Sequence, residues 1–261
     1  MKQMMIAWVA VAMVLMGGSM VGATQILPSG EDSLQEIFNG FTVDGDSSVN
    51  VHDDHLSDTI DSYWEITATG SSNSTFIAEI AGFSEENSVG LYDFSDPNNR
   101  LELFSGGNSD GDRTTVSIFE NGLITSLVQD VENPGVFSVQ SAQFSGNKFG
   151  YYLTTGEDHT FFSDTSLNKD GYDHLVVFQG NDRDRVQLPG APEGFWTDNE
   201  FIFAWEDLFN GGDQDYNDMV FMVESIHPTP EPGTMALLGL GLIGLGVASR
   251  KRMRGRKSAG R

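Results

Sequence analysis

From residue 63 to residue 228 apolar side chains recur mostly with a period of two, and that period favours β-strands. Trp64-Glu65-Ile66-Thr67, Phe76-Ile77-Ala78-Glu79-Ile80, Leu101-Glu102-Leu103-Phe104 and Thr115-Val116-Ser117-Ile118-Phe119 alternate as half-buried strands do. Further strands are expected over 123–128, 149–154, 174–179, 185–188, 200–205 and 219–225. Turn clusters at 105–108, 120–122 and 133–135 separate them, and Asn121-Gly122 between two apolar runs predicts a two-residue hairpin. Many short strands with closely spaced turns point to an all-β fold, an antiparallel sandwich or jelly-roll-like body. One helix is expected, over 31–38 after Ser29. The acidic region 24–62 has weaker periodicity and is expected to pack loosely on the sandwich, and Ser71-Ser72-Asn73-Ser74-Thr75 reads as a flexible loop tip.

Charge excludes one class of partner. Residues 24–230 hold six basic against 37 acidic residues, a net of −31, whereas seven of the chain's 14 basic residues crowd into 250–261. So acidic a body repels phosphate backbones and attracts divalent cations, so nucleic acid is not a partner. With no cysteine there is no disulfide, thiolate metal site or cysteine nucleophile.

Both ends read as addresses. Residues 1–23 have the form of a cleaved signal peptide: Lys2, an uncharged apolar stretch over 4–16, and Val21-Gly22-Ala23 as the cleavage site, with Ala23 its last residue. Thirteen apolar residues are short of the ~20 that span a bilayer. Over 229–257, Thr229-Pro230-Glu231-Pro232 precedes seventeen uncharged residues and then Arg250-Lys251-Arg252-Met253-Arg254. As a helix the uncharged part reaches ~25 Å, enough to cross a thin membrane, and the basic end stays cytoplasmic. The body therefore lies on the far side of the inner membrane. Gly239-Leu240-Gly241-Leu242-Ile243-Gly244 spells a dinucleotide-binding turn, but no strand precedes it and the surrounding sequence is bilayer-length and apolar.

This tail resembles the PEP-CTERM sorting signal of Gram-negative bacteria. The resemblance implies a membrane-anchored precursor and processing by an exosortase, with Pro230, Glu231 and Pro232 as the recognition element. It also implies a cell-surface or extracellular destination, in species that make exopolysaccharide and biofilm. A plain membrane anchor accounts for the span and the charge bias but not for the Pro-Glu-Pro.

Residues 201–224 carry the densest chemistry. A strand runs into Glu206-Asp207-Leu208-Phe209-Asn210-Gly211-Gly212-Asp213-Gln214-Asp215-Tyr216-Asn217-Asp218 and a second strand follows. Five carboxylates and Asn217 fall within thirteen residues. Side by side they repel, and a hard cation ligated at ~2.3–2.6 Å by oxygen relieves the repulsion; Ca²⁺ accepts the 6–8 ligands required. Glu206, Asp207, Asp213, Asp215, Asn217 and Asp218 are the candidate metal ligands. Asp213, Asp215, Asn217 and Glu224 match EF-hand positions 1, 3, 5 and 12, but Asp218 stands where glycine is needed and strands flank the loop. The competing reading is that these acids cap turns. Other acidic turns, at 44–46, 108–112 and 168–171, and His52-Asp53-Asp54-His55 read as solvated turns.

Together with Tyr172-Asp173-His174-Leu175 upstream, this segment resembles the domain of unknown function DUF4114 over about 146–226. That family occurs in exported bacterial proteins and names no reaction. No metalloprotease helix, serine elbow or phosphate loop is present, and the chain reads as non-enzymatic. The expected role is a calcium-stabilised structural or adhesive surface protein associated with exopolysaccharide. The alternative is a carbohydrate-binding, lectin-like module that stacks sugars on Trp64, Trp196 or Trp205.

Overall fold

The computed structural model describes residues 26, 33–43, 45–67, 71–79 (backbone), 86–106, 112–119, 121–130, 133 and 135–229. The signal peptide with Ala23 and the tail with Pro230, Glu231 and Pro232 lie outside the described residues, as do parts of the turns at 44–46 and 108–112.

Nearly all of the regular structure is β. The strands are β1 (Trp64–Ile66), β2 (Ser71–Glu79), β3 (Ser88–Asp93), β4 (Asp96–Ser105), β5 (Arg113–Ile118), β6 (Leu123–Gln129), β7 (Phe137–Gln143), β8 (Lys148–Thr154) and β9 (Thr160–Phe162). They continue with β10 (Leu175–Gln179), β11 (Arg185–Val186), β12 (Gly194–Phe195), β13 (Glu200–Trp205), β14 (Met219–Glu224) and β15 (Ile226–Pro228). One sheet runs β15-β1-β8-β3-β4 with β9 on β8; another runs β10-β13-β14-β2-β5-β6-β7; β11 and β12 form a hairpin. Every strand pairing is antiparallel.

The period of two becomes a shared core. Val89, Leu91, Leu101, Leu103, Phe149, Tyr151 and Leu153 of the first sheet pack in one cluster with Leu175, Val177, Phe201, Phe203, Trp205, Met219, Phe221 and Val223 of the second. Tyr151 meets Phe203 at 4.4 Å between ring centroids, and Trp64 meets Phe201 at 5.0 Å, so the two sheets face one another across aromatic contacts. Adjacent strands are tied in register, Trp205 opposite Met219 and Leu175 opposite Trp205. A hairpin forms at Asn121-Gly122, but its loop has three residues instead of the two expected. Ile118 pairs with Ile124, the Phe119 N–H donates to the Leu123 carbonyl, and the Gly122 N–H donates to the Phe119 carbonyl with Gly122 at φ +81, a turn completed by a glycine bulge.

Three further expectations change. The described part of 24–62 does not pack loosely: Leu34, Phe38, Phe41, Val49 and Val51 are buried against Val176, Phe178, Ile202, Ala204, Val220 and Met222 on the outer face of the seven-stranded sheet. This second core explains why β10, β13 and β14 are continuous apolar runs, since both of their faces are covered. The helix, α1, spans Leu34–Phe41, not 31–38. Its N-cap is Ser33, whose Oγ accepts from the Glu36 N–H while the Glu36 carboxylate accepts from the Ser33 N–H, a reciprocal cap that sets the start three residues later. Ser71–Thr75 is not a loop tip but the first half of β2, bonded to β5, with β14 on the strand's other side. β5 pairs with all five residues and β14 with Ser74 and Thr75, and this pairing outweighs the weak strand preference of Ser and Asn.

Candidate metal centre

β13 and β14 end opposite one another at Trp205 and Met219, and the thirteen-residue connector 206–218 leaves the sandwich there. Its first residue is pinned from β10's side. The Glu206 N–H donates to the His174 carbonyl at 3.0 Å, and His174 Nδ1 lies 2.9 Å from the Glu206 carbonyl oxygen. The His174 ring is fully buried, stacked on Phe161 at 3.5 Å, and its Nε2 lies 2.9 Å from Asp170 Oδ2. Both ring nitrogens thus face oxygens, the Glu206 carbonyl on one side and the Asp170 carboxylate on the other. Asp170 Oδ2 also accepts from the Asn210 N–H at 2.8 Å, and these bonds outweigh burial to hold its carboxyl below the usual range. The 168–171 turn is therefore a structural brace.

The connector is bent by left-handed backbone at Asn210, Gly211, Gly212, Gln214 and Tyr216. Gln214 and Tyr216 sit there at a cost that their anchors offset: the Tyr216 hydroxyl donates to the Asp173 carbonyl at 2.8 Å, and the Gln214 N–H donates to Glu206 Oε2 at 2.8 Å. The bend turns the acids inward. Ligand-type oxygens of Glu206, Asp207 and Asp218 lie within 4.8 Å of one another, and so do those of Glu206, Asp213 and Asp215. Glu206, Asp207, Asp215, Asn217 and Asp218 are buried, and Asp213 is exposed.

All six candidate ligands thus lie in one loop, with the five carboxylates converging on Glu206. Asn217 is fully buried between Asp215 and Asp218, and its N–H donates to Asp215 Oδ1 at 3.3 Å. Glu224 is elsewhere, at the far end of β14 opposite Glu200, consistent with rejecting an EF-hand. The sequence reading missed Asn87, just before β3. Its Nδ2 donates to Asp207 Oδ2 at 2.8 Å across 120 positions, and its buried Oδ1 has no hydrogen-bond partner. No local signal marks Asn87, because the contact exists only once the two sheets are stacked.

Burial, with Asp213 and Asp215 nearby, pushes the Glu206 carboxyl up to about 8. Burial, with Asp207 and Glu206 beside it, pushes Asp218 up to about 9. Asp207 is raised as well, chiefly by burial, although Asn87 and Asp218 hydrogen-bond to it. Among the described residues no lysine or arginine forms an ion pair with the cluster. Left to itself the group must hold protons, and a cation is the alternative source of positive charge. The donors are all oxygen, which suits a hard ion such as Ca²⁺ rather than a transition metal.

The other candidates have different roles. Trp64, Trp196 and Trp205 are each 0 % exposed and offer no stacking face to a sugar. Asp53 and Asp54 accept from Asn50, so the 52–55 segment is a turn. With Asp164 and Ser166 it borders a cleft of about 880 Å³ whose lining includes none of the cluster's carboxylates.

The connector falls inside a segment that matches a known family model. The family described as a domain of unknown function (DUF4114) matches residues 109–226, reaching further upstream than the 146–226 segment quoted above. The PEP-CTERM protein-sorting motif matches residues 228–252. No curated protein matches the chain. Among solved structures, scytalido-glutamic peptidase with a peptide-based transition-state analogue is 11% identical, covering 54% of this chain and 93% of that one, with a TM-score of 0.23. The same enzyme with a transition-state analogue inhibitor is 11% identical, covering 64% and 100%, at 0.25. SCP-B, an eqolisin-family peptidase bound to the tripeptide Ala-Ile-His, is 8% identical, covering 66% and 100%, at 0.24. Likenesses this distant carry no argument about activity. The sorting motif implies export, a membrane-anchored precursor and an exosortase as processing partner. No described helix is long and apolar enough to cross a membrane. Residues 109–226 match the DUF4114 family model and run almost directly into the segment that matches the PEP-CTERM sorting motif, 228–252.

Proposed function

We propose that this protein is a non-enzymatic component of the cell surface or extracellular matrix, associated with exopolysaccharide or biofilm, whose β body is braced by calcium at the 206–218 connector. The exosortase reads Pro230, Glu231 and Pro232, and the body is released or anchored outside. The observation that carries the calcium reading is the convergence of five carboxylates on Glu206, four of them buried, with no basic side chain paired to them among the described residues. A cation there ties the ends of β10, β13 and β14, through Asp207 and Asn87, to the start of β3 in the facing sheet. A structural role follows from that position: the ion spans the two sheets instead of standing in an open cleft. Calcium is abundant outside the cell, where the tail sends the chain.

The test is thermal unfolding of the full chain in mild detergent, with calcium chloride and with chelator. At 100-fold excess over the dissociation constant, calcium stabilises the native state by about 2.7 kcal/mol. Asp213→Ala combined with Asp215→Ala removes the shift. Identical melting curves with and without chelator overturn the calcium reading.

A further inference from the structure

The two carboxylate groups of the connector share one residue. Glu206 belongs both to the set with Asp207 and Asp218 and to the set with Asp213 and Asp215. Leu208 N–H donates to its Oε1 at 3.1 Å and Gln214 N–H to its Oε2 at 2.8 Å. Each oxygen keeps a second lone pair, so the carboxylate can face an ion on either side. The two sides differ in environment. Glu206, Asp207 and Asp218 are at most 8 % exposed, whereas Asp213 opens to solvent.

Charge decides the number of ions. Five carboxylates with one divalent cation keep a net of −3, most of it on buried groups; with two cations the net is −1. Buried like charges without compensation are costly, so the second ion removes most of what the first leaves. An independent feature marks the inner side. Asn87 is 1 % exposed, its Nδ2 is held by Asp207, and its Oδ1 is a buried acceptor with no partner. An orphaned buried carbonyl-type oxygen is costly unless it has a donor or a cation.

Resting on the calcium reading above, we infer that the connector is a two-ion centre bridged by Glu206. The inner ion sits on Glu206, Asp207, Asp218 and Asn87 Oδ1. The outer ion sits on Glu206, Asp213 and Asp215, with solvent completing its shell. The inner ion braces the sheets and exchanges slowly; the outer one exchanges with the medium.

Equilibrium dialysis of radioactive Ca²⁺ against the chelator-stripped full chain in mild detergent tests this. Two equivalents bind to the wild type. Asp213→Asn, a conservative change at the exposed position, leaves one equivalent of unaltered affinity. Asn87→Ala weakens the tighter site about tenfold or more, the scale set by loss of a supporting group at a metal, and spares the weaker site. If that variant fails to fold, Asn87→Asp keeps the shape and tightens the inner site. A single equivalent in the wild type, weakened alike by Asp213→Asn and Asp218→Asn, overturns the two-ion centre and leaves the calcium reading standing. Wild-type binding by both Asn87 variants removes Asn87 from the ligand set. No bound calcium at any concentration overturns the reading beneath the inference.

Discussion

A β-carbon on Gly212 would stand 1.9 Å from Oε1 of Glu206. The backbone of the connector closes directly onto the carboxylate that both ligand groups share, and at φ +45 this position excludes side chains on two grounds.

Gly212→Ala should therefore destabilise the protein by about 2 kcal/mol, through clash and strain together. It should also weaken calcium binding by displacing Glu206. At Gly146, where an added β-carbon meets nothing within 4 Å, the same change should alter stability by less than about 0.5 kcal/mol. Urea midpoints of the two variants make the comparison.

Stability without calcium should fall as pH rises. Glu206 and Asp218 are held above their unfolded values, so the folded chain binds more protons than the unfolded one. The contribution is complete below about pH 4, where both states are protonated. It is lost as pH climbs toward the folded values of about 8 and 9. Saturating calcium should abolish the slope above about pH 5, because the ion holds the folded carboxylates deprotonated, as they already are in the unfolded chain. Asp218→Asn should flatten it in chelator. Denaturation midpoints between pH 5 and 9 in chelator and in calcium chloride give the answer; matching slopes in the two media would count against the cluster as the source.

His174→Ala should cost about 3 kcal/mol, since it strips the bond to the Glu206 carbonyl, opens a void against Phe161 and leaves Asp170 buried without its partner. Restoring packing alone with His174→Phe should recover only part of the loss. Equilibrium unfolding of the two variants separates packing from hydrogen bonding.

For the tail, Pro230→Ala with Glu231→Ala should leave unprocessed precursor in the inner-membrane fraction. Mass spectrometry of envelope and medium reads both cut sites. Wild-type processing of the double variant would show that the Pro-Glu-Pro is not the recognition element.

Much of the architecture is written locally. Alternation along Leu101-Glu102-Leu103-Phe104 and Thr115-Val116-Ser117-Ile118 predicts strands that form, because one face of each meets a core and the period of two leaves one register that buries it. The grouping of the acids is legible for the same reason: five carboxylates lie within one thirteen-residue connector, and its bend at Gly211-Gly212 brings their oxygens close. β3 and β7 escape notice. The first, Ser-Val-Gly-Leu-Tyr-Asp, is buried on both faces beneath Tyr63, Tyr152 and Phe162; the second is an edge strand whose Phe137 and Val139 are exposed. Neither has the half-buried pattern that alternation detects.

What the chain determined by itself is therefore whatever depends on neighbours in sequence: strand period, turn positions, an acidic connector and the C-terminal sorting motif. The tertiary structure alone decided what depends on distant partners. It docked α1 as a second core, drew Ser71–Thr75 into the middle of a sheet, set His174 under Glu206 and brought Asn87 to Asp207. Burial and hydrogen-bond completion are settled by segments distant in sequence, 32 positions for His174 and Glu206 and 120 for Asn87 and Asp207, and no local pattern encodes which oxygen will end up without a partner.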